Sequence, residues 1–259
     1  MRQLSFLMVL ALGLSTGSAA DTSRPIWVIA HRGATSEAPE NTIAAIEAAV
    51  KMGCDVVEVD VRLTKDGHAV LIHDATVDRT TNGRGRVDQL SWPQLRELNA
   101  GAHFVNAPPG TRIPLLEEAI ELVRGRAMLY LDIKVTQLEP IVRVVRQADF
   151  SKSVFYRVYR PGDVDRLRQL DPSAKVIVGI DEMAMAPGVI DAVLARHPDT
   201  ILSMAWDVKV KGKAPPRSSL WFLNLLGRQI SASDLRQAIE LRPAGIVTDS
   251  PRPLLELLR

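Results

Sequence analysis

Glu58-Val59-Asp60-Val61-Arg62-Leu63-Thr64-Lys65-Asp66-Gly67-His68-Ala69-Val70-Leu71-Ile72-His73-Asp74 is the stretch on which the fold turns. With Val56 and Val57 ahead of it, the run alternates strictly. Val57, Val59, Val61 and Leu63 fall on one face, and Glu58, Asp60 and Arg62 share the other with Val56. A strand has period two, so both carboxylates point the same way. One reading is an antiparallel surface strand with a wet face. The other is a strand whose charged face lines a cavity. Lys65-Asp66-Gly67, between two extended runs, reads as a hairpin turn that folds His73 back toward the carboxylates.

The rest of the chain favours the cavity. Further apolar strand-like runs fall at Ile26–Ala30, Met128–Lys134, Val154–Val158, Lys175–Ile180, Thr200–Ala205, Leu220–Asn224 and Gly245–Thr248. Helical patterns separate most of them, as in Asn41–Met52, where Ile43, Ile46 and Val50 share a side and Gly53 supplies the stop. Eight strands alternating with helices predict an α/β fold, a (β/α)8 TIM barrel. An open doubly wound sheet is the competitor. It usually brings a glycine-rich turn after the first strand, where this chain has Ala30-His31-Arg32-Gly33-Ala34. Residues 64–113 are too long for a simple loop and predict a small insertion after strand two. Asp207–Ser219, with Lys209, Lys211 and Lys213, is rich in Lys and Pro and shows no helical pattern.

Residues 1–20 read as a signal peptide: Arg2, an apolar run over Leu4–Leu14, then Ser18-Ala19-Ala20 before Asp21. The apolar run is short for a membrane span. The expectation is a single domain over 21–259, exported to the bacterial periplasm or secreted, with no stable membrane anchor after cleavage. The whole chain has 32 Lys+Arg, one of them Arg2, against 30 Asp+Glu. That balance gives no electrostatic case for nucleic acid. Cys54 is the only cysteine, so an intramolecular disulfide is excluded and stability must come from the core. Its place after Gly53, between helix and strand, suggests a buried inert thiol.

In a barrel, reactive residues gather at the carboxyl ends of the strands. Strand one ends at His31-Arg32. Strand three, Met128-Leu129-Tyr130-Leu131-Asp132-Ile133-Lys134, repeats the anomaly of strand two, with Asp132 and Lys134 on the face opposite Leu129, Leu131 and Ile133. Glu58, Asp60 and Asp132 together need a compensating cation, and oxygen-only donors select a hard ion, Ca2+ or Mg2+. His31 and His73 can supply acid and base near neutral pH. A divalent cation with Arg32 and Lys134 can hold a phosphate. The constellation points to metal-assisted phosphodiester cleavage on a small-molecule substrate. Arg62 is expected to balance the carboxylates. Nothing in the sequence brings His68, His103 or His197 to the mouth.

At this point the motifs resemble those of glycerophosphodiester phosphodiesterases. The resemblance runs through His31-Arg32-Gly33, Pro39-Glu40-Asn41-Thr42, Glu58 to Gly67, His73-Asp74, Asp78 to Gly85, Ile113 to Ala119, Trp221-Phe222-Leu223-Asn224 and Gly245 to Pro251. It implies a TIM barrel with an insertion after strand two. It implies one divalent cation on Glu58, Asp60 and Asp132, His31 and His73 as the acid–base pair, Arg32 and Lys134 on the phosphate, and Trp221 as a pocket residue. The implied reaction gives sn-glycerol 3-phosphate and an alcohol: the substrate's 2-hydroxyl attacks phosphorus, and water opens the cyclic phosphate. Three departures bear on the substrate side, one of them a stretch before Trp221 that is shorter than the family's. Asp132 stands where the family commonly has glutamate, and the fourth strand, Val154 to Pro161, lacks the family's Ser-Phe pair and adds bulk and charge. An Asp-x-Lys pair also occurs in sphingomyelinase D and phospholipase D-like barrels. The alternatives are therefore a lysophospholipase D or sphingomyelinase D-like enzyme, or a non-catalytic periplasmic phosphodiester-binding protein.

Overall fold

The alternating run becomes β2 (Val56–Leu63), and each face goes where its pattern sends it. Val57, Val59 and Val61 are wholly buried outside the sheet, against helix residues such as Ala49, Leu116 and Ile120. Burying a valine of this kind contributes about 1.5–3 kcal/mol. The opposite face of β2 points into a closed barrel. In this computed structural model, which describes residues 26–179, 188–206, 220–226 and 230–259, β2 lies parallel to β1 (Trp27–Ala30) and to β4 (Met128–Ile133). The parallel ladder continues through β5 (Val154–Val158), β6 (Lys175–Gly179), β7 (Ile201–Ala205), β8 (Trp221–Leu225) and β9 (Gly245–Thr248). β9 then pairs with β1, with Ala30 opposite Thr248, and the eight parallel strands close.

The eight strands expected from the sequence are all present, with ends shifted by no more than one residue among the described residues. β3 (Ala69–Leu71) is the extra strand. It runs antiparallel to β2 with Arg62 opposite Val70, the hairpin that the Lys65-Asp66-Gly67 turn predicted. Helices follow most strands and cover the outside. Ile43–Met52 after β1 is capped at its start by the Thr42 side chain and stopped by Gly53 in a left-handed conformation.

Residues between β3 and the helix Leu116–Val123 form the predicted insertion. It carries a short helix, Trp92–Leu95, and a core of Ile72, Val77, Val87, Leu95, Ala100 and Ile113 that packs with Val70 of β3. That core docks the insertion on the β2–β3 hairpin. The expected leader at residues 1–20 and the Lys- and Pro-rich stretch 207–219 lie outside the described residues.

Candidate active site

One apolar residue from each barrel strand fills the interior: Ile29, Val56, Tyr130, Phe155, Ile177, Ile201, Phe222 and Val247. Phe155, Phe222 and Tyr130 pack ring against ring there, with Phe155 and Phe222 centroids 5.7 Å apart. Two positions further along, the same strand face meets the mouth. There the residues become His31, Glu58, Asp132, Arg157, Ser203, Asn224 and Asp249. Period two thus converts a dry plug into a polar floor within one step. A cavity of about 400 Å³ opens above it, lined by His31, Glu58, His73, Asp132, Lys134 and Asp249 among others.

The three predicted carboxylates converge. Asp60 and Asp132 are direct neighbours across the β2–β4 ladder. One oxygen from each of Glu58, Asp60 and Asp132 lies within 4.8 Å of the other two, and all three side chains are buried. Burial, then the charge of Asp60, pushes Glu58 up to about 8. Cations stand around the cluster. Lys134 Nζ is 2.8 Å from Asp132 Oδ2 and 3.2 Å from Asp60 Oδ1, and Arg32 Nε is 3.1 Å from Asp60 Oδ2. Burial pulls the Lys134 ammonium down, but Asp132 and Asp60 hold it above its ordinary value, so it stays charged. Three buried oxygen donors, one of which is still driven toward protonation despite these neighbours, fit a hard divalent cation. Asn41 fixes Asp60: its amide donates to Asp60 Oδ2 at 2.7 Å and its carbonyl accepts from the Asp60 N–H.

Each histidine is oriented by a carboxylate. His31 Nδ1 lies 2.6 Å from Asp249 Oδ1, and His73 Nδ1 lies 2.7 Å from Asp74 Oδ1. A carboxylate on Nδ1 favours the tautomer protonated there and leaves Nε2 for chemistry. His31 Nε2 is 4.0 Å from Glu58 Oε2. Burial lowers the basicity of His31, but Glu58 and Asp249 outweigh it and hold the imidazole above its ordinary value. The His31–Gly33 turn is strained to reach this place. Arg32 has φ 55°, and Gly33 has φ 84° with Ala45 so near that an added Cβ would lie 2.7 Å from its backbone. In return, the Arg32 N–H donates to Glu58 Oε2 at 2.6 Å.

Of the expected residues, His31, Arg32, Glu58, His73, Asp132 and Lys134 line one cavity, with Asp60 beneath them. Trp221 does not join them. It opens β8 at the amino end and faces outward onto the helix layer, so the pocket role is corrected. Asn224, three residues on, reaches the mouth in that strand. Arg62 hydrogen-bonds main-chain carbonyls, of His73 at 2.8 Å and Lys134 at 3.4 Å, and so ties two strand ends together. His68 stays at its turn beside Asp66, His103 bonds the Thr81 carbonyl and His197 pairs with Asp165. Cys54 is buried, and burial and Asp55 push its thiol up to about 12.

The sequence reading missed Asp249 and Asp74 as partners of the histidines, and Arg79. Arg79, from the insertion, contacts both oxygens of Glu40 at 2.8 Å and Asp74 at 2.6 Å. Glu40 in turn accepts from Arg32 at 2.9 Å. The signal for Asp249 was available: in a closed barrel the last strand neighbours the first, and Asp249 directly follows it.

The fold is a TIM barrel whose mouth sets two carboxylate-held histidines beside a buried acidic cluster that could hold a metal ion. The comparisons make it specific. The glycerophosphoryl diester phosphodiesterase family matches residues 31–206, and the chain belongs to that family. It is 32% identical over 243 residues to a glycerophosphodiester phosphodiesterase of Caldanaerobacter subterraneus subsp. tengcongensis, covering 90% of this chain and 97% of the relative. A Bacillus subtilis glycerophosphodiester phosphodiesterase is 31% identical over 210 residues, covering 74% of this chain and 71% of its own. Among solved structures, the glycerophosphodiester phosphodiesterase of Agrobacterium tumefaciens superposes with a TM-score of 0.77 at 27% identity, covering 89% of this chain and 99% of its own. An Oleispira antarctica phosphodiesterase in complex with the product sn-glycerol-3-phosphate shares the fold, with a TM-score of 0.71 at 23% identity, covering 90% and 96% of the two chains.

Proposed function

We propose that this protein hydrolyses glycerophosphodiesters to sn-glycerol 3-phosphate and an alcohol, using one divalent cation, Ca2+ or Mg2+. One observation carries the reading. Two histidines, each with Nδ1 held by a carboxylate, share one cavity with three buried carboxylates and a lysine. Glu58, Asp60 and Asp132 would hold the cation, which when bound supplies positive charge to the phosphate and to the oxygens changing charge around it.

The chain's own groups account for the proton movements. One imidazole Nε2 takes the proton of the substrate's 2-hydroxyl as that oxygen bonds to phosphorus. The other gives a proton to the departing alcohol oxygen as its bond to phosphorus breaks. In the second half the roles reverse: water adds to the cyclic phosphate, losing its proton to one histidine, and the 2-oxygen leaves protonated by the other. Lys134 and Arg32 line the cavity as cations for the phosphate oxygens. The attacking hydroxyl is held within the substrate, so no protein nucleophile is required. Ser203 on the barrel floor is fully buried and hydrogen-bonded to Asn224, away from such a role.

Export is part of the proposal, on the strength of the charged start, apolar run and small residues in positions 1–20. The deciding experiment is 31P NMR of glycerophosphocholine and lysophosphatidylcholine with the chain from Asp21 onward, in Ca2+, Mg2+ or EDTA. Glycerol 3-phosphate from the small diester, lost in EDTA, supports the reading. A cyclic phosphate that persists from the lysolipid favours the lysophospholipase D-like alternative. Binding of both without conversion favours a binding protein.

A further inference from the structure

Asp132 is a short carboxylate in a position that must reach two partners on β2, and the fourth barrel strand carries the group that holds it there. Tyr159 lies just past β5, two positions beyond Arg157 on the same alternation. Its hydroxyl donates to Asp132 Oδ1 at 2.6 Å and accepts from Lys134 Nζ at 2.8 Å. Lys134 Nζ closes the ring by donating to Asp132 Oδ2 at 2.8 Å. Both Asp132 oxygens are thereby fixed, and the Lys134 ammonium also sits 5.2 Å from the centre of the Tyr159 ring. We infer that Tyr159 is a positioning residue that sets Asp132 and Lys134 for cation and phosphate, and that its hydroxyl occupies the space a longer carboxylate at position 132 would need.

The geometry explains the pairing. A glutamate at 132 would extend the carboxylate by one methylene, about 1.5 Å. Asp132 Oδ1 and Tyr159 Oη are already at hydrogen-bond contact, so the longer side chain meets the phenol oxygen. Removing that oxygen makes room for the methylene. Position 132 and position 159 therefore act as one unit, and their substitutions are non-additive. A hydrogen-bond donor behind a metal-binding carboxylate commonly contributes 10- to 100-fold in metal affinity.

The inference rests on the three-carboxylate cation site of the proposed function, so the test reads binding directly. Calcium and magnesium titrations by calorimetry would be run on chelator-treated protein as wild type, Tyr159→Phe, Asp132→Glu and the double variant. Circular dichroism confirms that each is folded. The expected result is a cation affinity about 10-fold weaker in Tyr159→Phe, a loss at least as large in Asp132→Glu, and recovery to within a few-fold of wild type in the double variant. In turnover, Tyr159→Phe raises the cation concentration needed for half-maximal rate more than it lowers the rate at saturating cation. Wild type binding the cation while Tyr159→Phe stays within twofold of it, or double-variant losses that simply add, overturns the role of Tyr159 and leaves the site standing. A wild type that binds neither cation overturns both.

Discussion

Arg79 shows how one residue joins two parts of the candidate site that share no strand. Its guanidinium bridges Asp74, which holds His73, to Glu40, which holds Arg32. The planar fork meets both carboxylates with paired N–H groups, a geometry lysine cannot copy. The Arg79 pairing, aided by His73, lowers Asp74 to about 2, so that carboxylate remains charged under the imidazole. Arg79→Lys should therefore lower kcat on the order of 10-fold while cation binding stays near wild type. Equal kcat in a steady-state assay would remove Arg79 from the positioning chain. His31→Ala and His73→Ala should each lose on the order of 100-fold or more with unchanged circular dichroism. Near-wild-type rates in both would end the acid–base assignment. The histidines and carboxylates were legible because each breaks an apolar pattern at a strand end. Asp249, 218 residues from His31, was legible only through the closure that sets the last strand beside the first, and the Arg79 bridge was not legible because it depends on how the insertion docks.

At the scale of elements, strand parity explains both the success and the failure. The step of two that placed Glu58 and Asp60 inside β2 also places Phe222 and Asn224 inside β8, and so turns Trp221 outward. Trp221 was assigned by motif rather than by parity and direction, and the structure sides with parity. The turns make a parallel point. Gly33 and Gly67 have nearly the same left-handed φ, 84° and 85°. An added Cβ at Gly33 would meet the Ala45 backbone at 2.7 Å, whereas at Gly67 nothing lies within 4 Å. Alanine in the left-handed region costs about 1–2 kcal/mol on conformation alone. Gly67→Ala should lose about that much in urea unfolding. Gly33→Ala should lose clearly more and also depress activity, because the His31–Gly33 turn carries both His31 and the N–H that binds Glu58. Matching losses at the two glycines would show that the close approach to Ala45 relaxes freely.

Across the whole molecule, the acidic cluster links fold stability to pH and to the cation. Burial, with Asp60 beside it, raises Glu58 to about 8 in the cation-free protein, from an ordinary value of 4.5. A group raised in this way contributes stability that is complete below its unfolded pKa and is lost as pH rises through the folded one. The chelated protein should therefore lose melting temperature between about pH 5 and pH 8. The slope is at most about 1.4 kcal/mol per pH unit, which corresponds to about 2–4 °C per kcal/mol for a domain of this size. A divalent cation held by the three carboxylates would keep Glu58 ionised and so compete with the proton. Added Ca2+ or Mg2+ should raise the melting temperature by mass action, and by more at pH 8 than at pH 5. Glu58→Gln removes the titrating group and should flatten the chelated slope while abolishing the cation-dependent gain. Thermal melts of the two proteins at several pH values, with and without cation, decide the matter. A wild-type gain that is the same at pH 5 and pH 8, or a Glu58→Gln slope as steep as wild type, would assign the linkage to another group. The opposite pattern would mean that the charge gathered at one end of the barrel is held in check by the binding of an ion rather than by the fold alone.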